Sequence, residues 1–74
     1  MTRLERIHKA QALGRQAYEQ YGDGLPGGEI TRALRELADD ARSRARTYDG
    51  GLKAVAALSR SYGAGRKQAK GSGQ

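Results

Sequence analysis

Glu29-Ile-Thr-Arg-Ala-Leu-Arg-Glu-Leu-Ala-Asp-Asp-Ala-Arg-Ser-Arg-Ala-Arg-Thr-Tyr48 is the stretch whose reading decides the fold class. Ile30, Ala33, Leu34, Leu37, Ala38, Ala41, Ala45 and Tyr48 recur at the i, i+3, i+4, i+7 spacing of a helix with one apolar face. Acids (Glu29, Glu36, Asp39, Asp40) occupy its first two-thirds and Arg42, Arg44 and Arg46 its last third. That order complements the helix dipole at both ends. Arg35 and Asp39, and Asp40 and Arg44, form i, i+4 pairs worth roughly a few tenths of a kcal/mol each.

Outward from this helix the chain stays helical. Residues 2–21 place Leu4, Ile7, Ala10, Gly14, Ala17, Tyr18 and Tyr21 on one arc, with Arg6, Lys9 and Gln16 outside it. Gly14 costs about 1 kcal/mol relative to Ala there, and either admits a close neighbour or weakens the centre. The run Gly22-Asp-Gly-Leu-Pro-Gly-Gly28 then breaks the helix. Asp49-Gly50-Gly51 reads as the end of the second helix. A short third helix is expected over 52–62, with Leu52, Val55, Leu58 and Tyr62 on one side. Residues 63–74 hold four Gly, Arg66, Lys67, Lys70 and no large apolar side chain, and read as a flexible, disordered basic tail.

The expectation is an all-α fold, with two longer amphipathic helices and a short third in a helical hairpin or small three-helix arrangement. The first two would pack antiparallel through Leu4, Ile7 and Tyr18 against Leu34, Leu37 and Ala41, and Leu52, Val55 and Tyr62 would close the core. That core is small. Twelve of the 27 apolar residues are Ala, and Phe, Trp and Cys are absent, so neither a disulfide nor a thiolate metal site is available. The leftover apolar surface leaves a homodimer open.

Charge is the main functional signal. Residues 1–41 carry six Lys/Arg against seven Asp/Glu, whereas residues 42–74 carry eight against Asp49 alone, so the +6 excess lies wholly in the second part. Such asymmetry points to a polyanionic partner. Arg35, Arg42 and Arg46 form one stripe on the central helix, and Lys53, Arg60, Arg66, Lys67 and Lys70 extend the basic half. Arg suits phosphate because its donor fork matches two oxygens. The bland reading of the stripe is a solvated face that Asp39 partly neutralises. Tyr18, Tyr21, Tyr48 and Tyr62 lie near helix ends and read as the rim of the core or as anchors for a protein interface.

Residues 55–67 resemble part of a helix-turn-helix of transposases and repressors. Val55-Ala-Ala-Leu-Ser-Arg-Ser-Tyr-Gly63 matches a first helix with its closing Gly, and Arg66-Lys67 falls where a recognition helix would open. The resemblance implies DNA binding by that second helix, yet Gly65 stands at its cap and Gly71 and Gly73 would stop it early. The glycine loop before Glu29 lacks the Gly-Lys-Ser/Thr ending of a phosphate-cradling loop and reads as a connector. His8 is the one histidine, and Asp39 and Asp40, being adjacent, face different ways, so no catalytic or metal-binding set can be nominated.

These features predict a non-enzymatic regulator without cofactor, metal or small-molecule substrate. Its partner would be nucleic acid, DNA or RNA, held by the basic half. Size, Gly content and charge suit a transcription regulator of the phage or plasmid type. The alternative is a protein-binding regulator that docks on an acidic surface of a larger machine such as a transcription complex (RNA polymerase). The N-terminus has no signal-peptide core and no apolar run approaches a membrane span, which fits a cytoplasmic location away from membranes.

Overall fold

The computed structural model describes residues 1–72 and is all-helical among them, with α1 (Arg3–Tyr21), α2 (Gly28–Arg44) and α3 (Tyr48–Ser72). A capping box starts α1: Glu5 N donates to Thr2 Oγ1, and Thr2 N donates to Glu5 Oε1, each at 3.2 Å. Gly22, at φ +60°, ends it by donating its N–H to the Tyr18 carbonyl. Across the following loop the Tyr21 hydroxyl donates to Glu29 Oε1, tying the end of α1 to the start of α2.

The second helix ends at Arg44, short of the expected Tyr48. Ala45 is extended (φ −74°, ψ 142°), and residues 45–47 form a tight link. Thr47 then opens α3, its Oγ1 accepting from Gly50 N at 3.0 Å. Asp49-Gly50-Gly51 therefore lies in the first turn of a helix and does not terminate one. The third helix is also far longer than the expected 52–62. At 25 residues, it spans about 37 Å at 1.5 Å per residue, which accounts for most of the molecule's 42 Å long axis.

Residues 63–72, expected as a flexible tail, continue this helix, while Gly73 and Gln74 lie outside the described residues. α1 is the template that orders them. Gly65 packs on the Gln11 backbone, Arg15 Nη1 donates to Gln68 Oε1 at 3.1 Å, and Lys70 pairs with Asp23 at 3.8 Å. The chain is continuous through Gly63-Ala-Gly65, so the turn of a helix-turn-helix is absent from residues 55–67.

Contacts rise together along α1 and α3, from Gln11 with Gly65 to Asp23 with Lys70, so these two helices run parallel. α2 runs back antiparallel to both, packed against the pair. Arg6 meets Asp40 at one end and Tyr21 meets Glu29 at the other. The closest seam is α1 against α3, not the expected α1 against α2. A Cβ on Gly14 would lie 2.9 Å from the Tyr62 carbonyl carbon, and one on Gly65 would lie 2.9 Å from that of Gln11. The two glycines thus let backbone meet backbone, and Gly14 is there for close approach.

Ala10, Leu37, Ala41 and Leu58 make the buried centre, with Leu13, Leu34, Ala38 and Ala54 packed around it. Leu4 and Leu52, expected in the core, are 62% and 48% exposed. They stand on the outer side of a helix pair already closed by small residues.

Candidate nucleic-acid interface

The basic half divides into three groups once the helices are placed. The first is a stripe along α3. Lys53, Arg60 and Lys67 are exposed and repeat every seven residues, opposite the buried Gly51, Leu58 and Gly65 that share the same period. Seven residues advance the helix by about 10.5 Å. Lys53 pairs with Asp49 at 3.4 Å in open solvent, where such a pair contributes little. Arg60 and Lys67 have no acidic partner among the described residues, and Asp49 is the only acid in α3.

Arg35 and Arg42 stand on the outer side of α2, also seven residues apart. Gly51 lies beside Arg42 and Ala45. Counting from that contact along antiparallel helices places Arg42 near the level of Lys53, and Arg35 near that of Arg60. Arg42 bonds Asp39 at 3.0 Å, an i, i+3 pair that replaces the expected Arg35–Asp39 pair. The expected Asp40–Arg44 pair is present at 3.1 Å. Arg46 does not belong to the α2 stripe because the helix stops two residues earlier.

The second group is a cleft at the end of the bundle where α1 begins, α2 ends and α3 begins. Arg3, Arg6, Arg44, Arg46 and Lys53 line it, over a floor that includes Ala41, Ala45 and Ala54. Asp40 holds two of these cations apart. Its Oδ2 accepts from Arg6 Nη1 at 3.2 Å and its Oδ1 from Arg44 Nε at 3.1 Å. Arg3, Arg6 and Arg44 were not candidates in the sequence, since Arg6 falls outside the arc drawn through Leu4 and Ile7. Following the small residues Ala17, Gly14 and Ala10 back by steps of three and four reaches Arg6, which is 8% exposed.

The third group surrounds the far end of α1. Arg66, Lys67 and Lys70 line a shallow cleft with Tyr18, Gly63 and Asp23. Of the tyrosines, Tyr18 and Tyr62 are half-buried, Tyr21 bridges the loop to Glu29, and Tyr48 is 84% exposed. They form no single rim. Among the described residues no helix is long and apolar enough to cross a membrane, and no three His, Cys, Asp or Glu converge to hold a metal.

The carboxylates that organise these ends titrate low. The hydrogen bond from Arg44 is the main cause of a lowered pKa at Asp40, helped by the charge of Arg44 and the hydrogen bond from Arg6. Glu29 is lowered chiefly by the Tyr21 hydroxyl, and Glu5 by its bonds to Thr2. A folded pKa below the unfolded one means that the unfolded chain binds more protons in acid. The stability from these groups is present in full above the ordinary values of 3.8 for Asp and 4.5 for Glu, and is lost as pH falls through the lowered folded values. Thermal melts between about pH 6 and about pH 2 should show that loss. Asp40→Asn should flatten the acid limb, and an unchanged limb in that variant would refute the assignment to Asp40.

Neither a known protein family, nor a curated protein, nor a solved structure matches this chain.

Proposed function

We propose that the protein is a small non-enzymatic regulator that binds nucleic acid through the cationic face centred on α3. One observation carries the reading: α3 is an uninterrupted helix on which Lys53, Arg60 and Lys67 form a straight exposed stripe with a single acid at its start. Their spacing of about 10.5 Å corresponds to roughly three nucleotide steps of duplex DNA. Arg35 and Arg42 add two exposed cations on α2 at similar levels along the bundle. Among the described residues there is no base-reading element, so the binding expected is to the phosphate backbone, positioning without strong sequence preference.

Titration against duplex DNA and single-stranded RNA at several salt concentrations tests this. Three to five phosphate contacts should give a log–log slope of about −3 to −5 on duplex DNA. No binding at low salt would refute the reading. That result would favour the second reading, docking on an acidic protein surface such as that of a transcription complex. Its support is a set of apolar side chains left in solvent, with Tyr48 84% exposed, Leu4 62% and Leu52 one turn beyond Tyr48 at 48%.

A further inference from the structure

We infer that the cleft at the α1–α3 start is a receptor for a phosphomonoester, the terminal phosphate of a nucleic-acid strand whose backbone then follows α3. The natural occupant rests on the nucleic-acid reading above, whereas the phosphate chemistry rests on the cleft alone.

Five cations converge there: Arg3, Arg6, Arg44, Arg46 and Lys53. Asp40 and Asp49 pair with three of them, which leaves a local excess of three positive charges. A bridging backbone phosphate carries one negative charge and suits the convex stripe. A terminal phosphate carries up to two, and a concave site of this excess suits it better.

The site is also built. The Arg6 side chain is only 9% exposed, and its Nη1 is engaged by Met1 O and Asp40 Oδ2. Its Nε and Nη2 make no hydrogen bond among the described residues, yet no polar side-chain atom there is both sealed from solvent and unbonded. Arg6 therefore offers uncommitted donors while lining the cleft. The floor of Ala41, Ala45 and Ala54 leaves room for a compact group. The parallel α1 and α3 both direct their N-terminal ends here against the single C-terminal end of α2, which leaves a net positive contribution. Lys53 belongs to the cleft and to the stripe with Arg60 and Lys67, so a strand seated by its end leads directly onto α3.

The test compares one short single-stranded DNA with a 5′-phosphate, with a 3′-phosphate and with hydroxyls at both ends, at fixed salt. A strand with a terminal phosphate should bind about tenfold tighter than the hydroxyl form, the gain expected of a charge-assisted contact. Arg3→Gln with Arg46→Gln should abolish that preference, bringing the phosphorylated strands to the same affinity as the hydroxyl strand. Neither residue makes an ion pair among the described residues, so the fold should persist, as checked by circular dichroism. Inorganic phosphate should shift the amide resonances of Thr47 and Gly50 more than those of Arg60 or Lys67. Equal affinity for all three strands, or a preference that survives in the double variant, overturns the terminal-phosphate site and leaves the backbone reading standing. Localised shifts with inorganic phosphate but no binding of any strand support the receptor and refute the nucleic-acid reading.

Discussion

Gly14→Ala and Gly65→Ala should each destabilise the protein by about 2 kcal/mol or more, whereas Gly63→Ala should stabilise it by about 0.5–1 kcal/mol and Gly71→Ala, in the last turn of α3, by less. All four replace a helical glycine by the best helix former, so local propensity gives them the same sign. Packing separates them. A methyl at Gly14 meets the Tyr62 carbonyl and lies 3.0 Å from Arg66 N, and one at Gly65 meets the Gln11 carbonyl and lies 3.1 Å from Arg15 N. These are backbone atoms of a facing helix and cannot turn aside as a side chain does. At Gly63 and Gly71 nothing lies within 4 Å. For a domain of this size about 2 kcal/mol lowers Tm by roughly 10 °C. Melting curves of the four variants decide the matter, and a stabilised Gly65→Ala would show that α1 and α3 do not meet backbone to backbone.

The same glycines show why the third helix was only partly legible. The second helix could be read from its period alone, because Ile30, Leu37 and Ala41 are large or repeated enough to mark a buried face. Its end could not, since Ala45 and Tyr48 keep the period although Ala45 is extended and Thr47 caps the next helix. In residues 63–72 the ordering force comes from α1, about fifty residues away in sequence, through Gln11, Arg15 and Asp23. A glycine that serves a close contact and one that frees the backbone are the same letter. Composition favours the second meaning, and only the partner helix supplies the first.

The candidate site was legible as a set of residue types but not as an arrangement. In the sequence Lys53 and Arg60 fall in a helix and Arg66, Lys67 and Lys70 in a flexible tail, and the seven-residue phase of Lys53, Arg60 and Lys67 emerges only when one helix carries all three. The turn at residues 45–47, which periodicity does not reveal, brings Arg44 and Arg46 into one cleft with Lys53. Arg6 shows the opposite error, a charge placed on the solvent side that is buried because Asp40 and the Met1 carbonyl receive it. Small-residue stripes, more than large apolar ones, mark the closest seams in this chain.

Replacing Lys53, Arg60 and Lys67 together by Gln should weaken duplex DNA binding by between about 10²- and 10³-fold near 0.1 M salt, and should reduce the magnitude of the log–log slope by about three. Each phosphate neutralised contributes about 0.9 to that slope, so three lost contacts cost about 500-fold at that salt. The fold should tolerate the change. Gln is a good helix former, Arg60 and Lys67 bond no acid among the described residues, and the Lys53–Asp49 pair has side chains 80% and 75% exposed. A control outside the stripe separates it from net charge: Lys9 and Arg32 to Gln removes two exposed cations from α1 and α2 that make no hydrogen bond or ion pair with α3 among the described residues. Charges beyond a Debye length of about 10 Å are largely screened, so the control should lose less than about tenfold and keep most of its slope. Equal losses per charge removed in the stripe variant and the control would mean that binding follows total charge, and the α3 stripe would then have no claim as the interface. A loss confined to the stripe variant, with the control intact, is the outcome that an ordered row of cations on a continuous helix requires.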